Sequence, residues 1–152
     1  MAYDPNDPLE LIVDKFRFRF PKSLFYSEAG LWIRREGNLF RIGLSDFVQQ
    51  RNGDIAFANL MPPGTMLEID DEIASIETIK INVSLPSPVK GKILEVNSSL
   101  GESPEWINQD PYGRGWMAVV EPDGPKRLLQ GVLDAPSYLV LARKQAEAEL
   151  LS

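Results

Sequence analysis

Ser75-Ile76-Glu77-Thr78-Ile79-Lys80-Ile81-Asn82-Val83, followed by Pro86, Pro88 and Gly91, is the stretch that decides the fold of this chain. Its residues separate with period two into Ile76, Thr78, Lys80 and Asn82 on one side and Glu77, Ile79, Ile81 and Val83 on the other, which favours strand over helix. Lys80 then points opposite to Ile79 and Ile81, away from a core and into solvent. A lysine presented on a short hairpin between apolar neighbours is open to a lysine-modifying enzyme, because the amine projects from a rigid support. The plain alternative is a solvated surface lysine.

Working outward, the composition limits the chemistry. The chain has 152 residues, enough for one domain with its own core, and no linker that would divide it. It contains no cysteine, hence neither a disulfide framework nor a thiolate nucleophile. It contains no histidine, which removes the commonest general base, the Ser/His/Asp arrangement and the usual nitrogen ligand of zinc. A catalytic site or a metal centre is not expected. The net charge of −6 argues against non-specific nucleic-acid binding and suits a basic partner cleft. No stretch approaches the roughly 18 apolar residues of a membrane span, and no cationic leader opens the chain, so a cytoplasmic location is expected.

Residues 1–8 are rich in Pro and Asp and are expected to be poorly ordered. Leu9 to Asp14 reads as a short helix or a docking segment. Lys15 to Phe20 alternates cation and ring, predicting an edge strand with its rings turned inward and its cations in water; the competing reading is a docking or nucleic-acid strip. Residues 1–20 are taken as an N-terminal extension and residues 21–152 as the domain. Leu31 to Arg34 and Leu39 to Ile42 flank Glu36-Gly37-Asn38, a hairpin signal. Ser45 is placed to cap a short helix that Gly53 closes, before a strand over Asp54 to Asn59. Met61-Pro62-Pro63-Gly64 predicts a turn and Met66 to Ile69 a short strand. Asp70-Asp71-Glu72 point in alternating directions and read as an acidic surface rather than a cation site. Lys92 to Asn97 and Trp116 to Val120 are further strands. Ser103, as cap, and Pro104 predict a helix start. Trp106 and Trp116 read as core rings rather than a ligand-stacking pair. From Ser137 to Leu151 helix propensity is high, with Pro136 at its start.

The lysine hairpin resembles that of lipoyl and biotinyl carrier domains, in which a Glu stands three residues before the lysine and a Pro/Gly turn follows. Glu77, Lys80, Pro88 and Gly91 match. Val89, Gly91, Ile93, Glu95, Val96, Asn97, Leu100, Ser103, Pro104, Ile107, Asn108, Asp110, Pro111, Tyr112, Gly113, Gly115 and Trp116 narrow the likeness to the H protein of the glycine cleavage system, as do Trp32, Gly43, Ser45, Asp46, Gly53 and Asp54 upstream. The likeness runs from Trp32 to Val120. It implies a mainly β, antiparallel barrel-sandwich hybrid of the lipoyl/biotinyl-carrier type, with short helices and a C-terminal helix. The alternating strands and frequent turns point to an all-β core independently.

The resemblance further implies lipoate attached to Lys80, Glu77 as the mark read by a lipoate-attaching enzyme, and a cofactor groove that includes Gly30, Ile79, Ile81 and Asn82. Implied partners are that enzyme, a dihydrolipoamide dehydrogenase, and either the glycine cleavage P and T proteins or a heterodisulfide-reductase-like complex. The departures bear on the choice. H proteins usually carry His-Glu-Trp where this chain has Gly30-Leu31-Trp32, and Glu-Ser-Val-Lys-Ala-Ala-Ser-Asp where it has Glu77-Thr78-Ile79-Lys80-Ile81-Asn82-Val83-Ser84. Bulkier residues around the lysine tilt the sequence reading toward the H-protein-like lipoate-binding proteins of sulfur-oxidising bacteria, with a true aminomethyl carrier as the alternative. A biotinyl carrier and an unmodified scaffold or regulatory subunit are the readings from other classes.

Overall fold

The computed structural model describes residues 7–124 and 131–151. Eleven strands and three α-helices follow one another as β1 (Pro8–Val13), β2 (Phe16–Pro21), β3 (Phe25–Tyr26), β4 (Leu31–Glu36), β5 (Leu39–Leu44), α1 (Asp46–Asn52), β6 (Phe57–Leu60), β7 (Met66–Leu67), β8 (Glu72–Glu77), β9 (Asn82–Pro86), β10 (Gly91–Val96), α2 (Trp106–Gln109), β11 (Ala118–Pro122) and α3 (Ala135–Leu151). They form a six-stranded sheet of order β3-β4-β5-β11-β10-β7, a three-stranded sheet β6-β8-β9 and the hairpin β1-β2. Every pairing is antiparallel. This is the mainly β, antiparallel barrel-sandwich hybrid with short helices and a C-terminal helix that the resemblance implied, and its all-β core is the one the strand pattern predicted.

One core serves all three sheets. Ile42, Ile93 and Val120 enter it from the large sheet, Ile76 and Leu85 from the small one, Leu11, Phe18 and Phe20 from the β1-β2 hairpin, and Tyr138 and Ala142 from α3. Gly37 forms the β4-β5 turn with φ of 63°, a conformation that costs a residue with a Cβ more than a glycine. Trp32 lies across Gly43, its strand partner, and its indole N–H donates to Pro111 O at 2.9 Å. Gly91 sits where a Cβ would come within 2.2 Å of Glu121 O, so β10 and β11 close only around a glycine.

Several expectations need correction. Leu9 to Asp14 docks on the domain, one of its two expected forms, but as a strand and not a helix: Leu11 and Val13 face the core and Ile12 faces solvent, and β1 pairs with β2 from Pro8↔Pro21 to Val13↔Phe16. Among the three rings of β2, Phe18 and Phe20 are buried, but Phe16, at the turn, is 42 % exposed. The strand expected over Asp54 to Asn59 starts only at Phe57, that over Met66 to Ile69 ends at Leu67, and that over Trp116 to Val120 runs instead over Ala118–Pro122. Ser103 does not cap α2 through its hydroxyl; the helix opens at Trp106, whose amide donates to Ser103 O. The C-terminal helix begins at Ala135, and Asp134 caps it by accepting from Ser137 N at 2.9 Å. Its buried stripe is Ala135, Tyr138, Ala142 and Ala146. A 3₁₀ turn over Ser98–Gly101, capped by the Asn97 side chain, and strand β3 were not anticipated. The expected disorder of residues 1–8 falls, up to residue 6, outside the described residues.

The added N-terminal hairpin is bound in by side chains standing in for a missing strand. Along the free edge of β2, Arg19 N–H donates to Asp46 Oδ2 at 2.9 Å, Gln50 Nε2 donates to Arg17 O at 2.8 Å, and Tyr112 Oη–H donates to Arg19 O while accepting from Asp46 N at 3.0 Å. Edge amides and carbonyls that would template another strand are thereby satisfied. The Arg17 and Arg19 contacts to Glu10, both at 3.8 Å between exposed side chains, add roughly 0–1 kcal/mol at most. Under the hairpin, Tyr26 and Tyr138 stack at 4.8 Å and Phe20 meets both edge-on.

Two expected outcomes follow from these contacts. Tyr112→Phe removes the hydroxyl between Arg19 and Asp46 and should cost about 1–3 kcal/mol in urea unfolding, with faster amide exchange along β2. Burial pushes the Tyr138 hydroxyl up to about 12 and the buried Tyr112 well above its ordinary value. The unfolded chain therefore releases these protons first, so stability is full below pH about 10 and falls as the pH rises from there toward 12. Chemical denaturation between pH 8 and 11.5 should show that decline, and Tyr138→Phe should flatten part of it.

Candidate functional site

The strand expected from Ser75 to Val83 is two strands joined by a turn. β8 ends at Glu77, β9 begins at Asn82, and these two residues are paired across the hairpin. Thr78-Ile79-Lys80-Ile81 form the tip. The turn is set by Thr78: its amide donates to Ile81 O at 2.9 Å, and its Oγ1 accepts from Lys80 N at 3.3 Å and Ile81 N at 3.2 Å. A hydroxyl bonded to backbone amides two and three residues on offers the chain an alternative to the strand ladder. Lys80 is thus at the summit of a hairpin rather than in a strand, and Ile79 and Ile81 do not face the core. Ile79 is 95 % exposed and Ile81 52 %.

Behind the tip, β8 is the central strand of its sheet, and after a register shift between Glu72 and Ala74 it alternates from Ala74 to Glu77. Ala74 and Ile76 point inward with Leu85 and Val83 of β9; Ser75 and Glu77 point outward with Ser84 and Asn82. On the other side, β6 pairs Phe57 with Glu77 and Asn59 with Ser75, so Phe57, Glu77 and Asn82 form one row across the outer face. Asn59 Nδ2 lies 3.4 Å from both Glu77 Oε2 and Ser75 Oγ, which holds the Glu77 carboxylate beside the hairpin. The Lys80 ammonium has no ion-pair partner among the described residues. An exposed, unpaired amine on a turn fixed by its neighbour's hydroxyl is accessible to acylation, and a group joined there would stand clear of the domain.

The structure therefore brings together Glu77, Ile79, Lys80, Ile81 and Asn82. It does not bring Gly30 to them. Gly30 is buried in the turn between β3 and β4 with φ of 93°, and a Cβ there would meet Val48 Cγ2 at 2.1 Å and the Tyr138 hydroxyl at 2.8 Å. Its place is explained by packing under α1 and α3. Phe57 and Asn59 were missed, although the alternation Phe57-Ala58-Asn59-Leu60 already set a phenylalanine on the polar side of a strand.

Other residues singled out earlier have structural partners. Asp71 Oδ2 accepts from Glu68 N at 2.8 Å and Glu72 Oε1 from Ser84 Oγ at 2.6 Å, so these acids turn to different neighbours, and no group of three metal-ligating side chains occurs among the described residues. Arg114 covers one face of Trp106 at 4.5 Å and Arg41 one face of Trp116 at 4.3 Å, which leaves no sandwich for a ligand. Among the described residues no helix is long and apolar enough to cross a membrane.

A β sandwich that lifts one free lysine on a rigid hairpin, with a carboxylate three residues before it, has the form of a carrier of a lysine-bound group. Comparison with known proteins gives the family. Residues 24–145 match the Glycine cleavage H-protein family. The chain is 41 % identical over 118 residues to the glycine cleavage system H protein of Oceanobacillus iheyensis, covering 78 % of this chain and 93 % of that one. It is 43 % identical over 124 residues to the one from Geobacillus thermodenitrificans, covering 82 % and 97 %. Among solved structures, the crystal structure of a glycine cleavage system H protein from Mycobacterium marinum superposes with a TM-score of 0.71 at 27 % identity, covering 78 % of this chain and 95 % of that one. This chain belongs to the glycine cleavage H-protein family. The hairpin β1-β2 lies before the matched region.

Thr78→Val keeps the shape of the side chain but removes the hydroxyl that organises the tip. Amide exchange at Lys80 and Ile81 should accelerate at least severalfold, while global stability changes by less than about 1 kcal/mol because the turn is solvated.

Proposed function

We propose that this chain is a non-catalytic lipoyl carrier of the glycine cleavage system, with lipoate joined through an amide to Lys80 Nζ. The observation that supports this most strongly is the hairpin itself: an unpaired amine at an exposed, fixed tip, three residues after an outward-facing Glu77, in a chain of the H-protein family. Bound there, lipoate supplies the dithiolane whose redox couple and thiol nucleophile this cysteine-free chain lacks. The chain's own residues position and present. Ile76 and Leu85 anchor the hairpin in the core, Thr78 shapes the tip, and Asn59 holds Glu77 where an attaching enzyme can read it. Carriage on a tether makes each delivery an effectively intramolecular encounter, so the surface near Lys80 has only to dock transiently.

Its partners on this reading are a lipoate-attaching enzyme, the P and T proteins that load and unload an aminomethyl group, and dihydrolipoamide dehydrogenase; a cytoplasmic location goes with them. The family relatives weigh in favour of glycine cleavage. One observation favours the second reading, a carrier serving a heterodisulfide-reductase-like complex in sulfur oxidation: the exposed Ile79 and Ile81 stand where H proteins usually have smaller residues around the lysine. Ile79, Ile81 and Asn82 are then the residues that face the cargo.

The test is peptide mass spectrometry of the chain produced with lipoate and a ligase. A lipoyl adduct on the Lys80 peptide, lost in Lys80→Arg, is expected; an unmodified lysine would leave the scaffold reading and a biotin adduct a carboxyl carrier. Glu77→Gln should slow attachment roughly tenfold, the effect of losing one charge-assisted contact. Purified P and T proteins with glycine should then load and unload the arm, whereas turnover only with a heterodisulfide-reductase-like complex would establish the second reading.

A further inference from the structure

We propose that Phe57 is an anchor of the surface by which the lipoate-attaching enzyme grips this chain, a contact outside the modified hairpin; the proposal rests on the lipoyl-carrier reading of Lys80. Phe57 opens β6 and is 61 % exposed. Ala58, the next residue, faces inward opposite Ile76, so the phenylalanine cannot turn into the core without moving the whole strand by one residue. Its ring has no aromatic or cationic partner among the described residues.

A singly exposed apolar side chain is ordinary, but this one is not single. It shares a row with Glu77 and Asn82, and the tip immediately beyond carries the exposed Ile79 and Ile81. The result is three exposed apolar side chains on the tip and on the row directly behind it, with one carboxylate set among them. An enzyme that acylates Nζ has to close its acyl-binding cleft over the tip and exclude water there, which covers the neighbouring strand as well. Aromatic side chains at the centre of such a contact carry a large share of its free energy. A second copy of this chain is a poor occupant. The same face carries Glu77, with Glu72 at the far end of β8, and two copies of a chain with net charge −6 would bring like charges together. The complementary partner has an apolar pocket for the ring beside a cation for Glu77.

The experiment measures steady-state lipoylation by lipoate ligase, ATP and lipoate on the full chain, for wild type, Phe57→Thr, Phe57→Gln and Phe57→Tyr. Expected is a KM for the carrier about tenfold higher in the Thr and Gln variants with kcat nearly unchanged, and near-wild-type behaviour with Tyr. Lys80→Arg protein, which cannot be acylated, should compete with wild type for the ligase, and the Phe57→Thr, Lys80→Arg double variant should compete about tenfold less well. Acetylation of Lys80 by an activated acetyl ester should proceed at equal rates in wild type and Phe57→Thr, which a distorted tip would not allow. An unchanged KM in both polar variants, or a double variant that competes as well as Lys80→Arg, overturns the proposal while leaving Lys80 as the attachment site. Failure of the wild-type chain to be lipoylated removes the carrier reading, and this proposal with it.

Discussion

The presentation of Lys80 depends on Ile76. It is fully buried, pairs with Ala58 on one side and Val83 on the other, and is the last core residue of β8 before the chain leaves the protein. Because side chains alternate along a strand, fixing Ile76 inward fixes Glu77 outward, and a slip of one residue would put the glutamate in the core and an isoleucine in water. The antiparallel register then returns the chain at Asn82, and four residues are left to make the turn. Neither the direction of the glutamate nor the place of the lysine needs a specific contact at the tip beyond the Thr78 hydroxyl; both follow from how one isoleucine is buried. A rigid base and a solvated summit suit an amine that must be reached by an enzyme without disturbing the fold.

The same logic explains how the chain tolerates an addition at its start. The β1-β2 hairpin precedes the region shared with the family, yet Leu11, Phe18 and Phe20 enter the common core. Asp46 and Tyr112, which bond its free edge, belong to the shared region and have other tasks there, Asp46 in the first turn of α1 and Tyr112 beside Trp32. Joining a hairpin to such groups satisfies its edge without building another strand. Its outward face keeps Arg17 and Arg19 in water, a cationic strip on an acidic body, far in sequence from the lysine hairpin.

Much of this was legible in the residues. The β4-β5 hairpin, the Ser45 cap, the edge strand β2 and the terminal helix all announce themselves through period, turn chemistry or propensity, and Glu77, Lys80 and Gly91 are picked out by the resemblance alone. What was not legible has physical causes. Thr78 to Ile81 continues the strand period because isoleucines flank the lysine, and only a threonine hydroxyl bonding to two amides, a contact that alternation does not encode, makes it a turn. In Leu9 to Asp14, the exposed Ile12 fills the polar position of a strand and blurs the alternation toward a helix. Gly30 stands among the groove residues only through the resemblance, and the reason for a glycine there lies in Val48 and Tyr138, distant in sequence, which occupy the place of its Cβ. Asp134 outranks Pro136 and Ser137 as the helix start because its carboxylate reaches the Ser137 amide.

A carrier of this design cannot encode its pathway in the attachment chemistry, because an amide on a lysine is the same whatever the arm transports. Discrimination has to lie in differences of docking free energy at the surfaces that partners touch. On this chain those surfaces are of two kinds. The lysine row, with Phe57, Glu77, Ile79 and Ile81, is on the proposed reading the surface beside the point of attachment. The cationic face of β1-β2 is far in sequence from the tip and lies before the matched family region. On the proposed carrier reading, a shift of partner can therefore arise in this fold through surfaces outside the tip while the lysine, its glutamate and the strand register beneath them stay as they are.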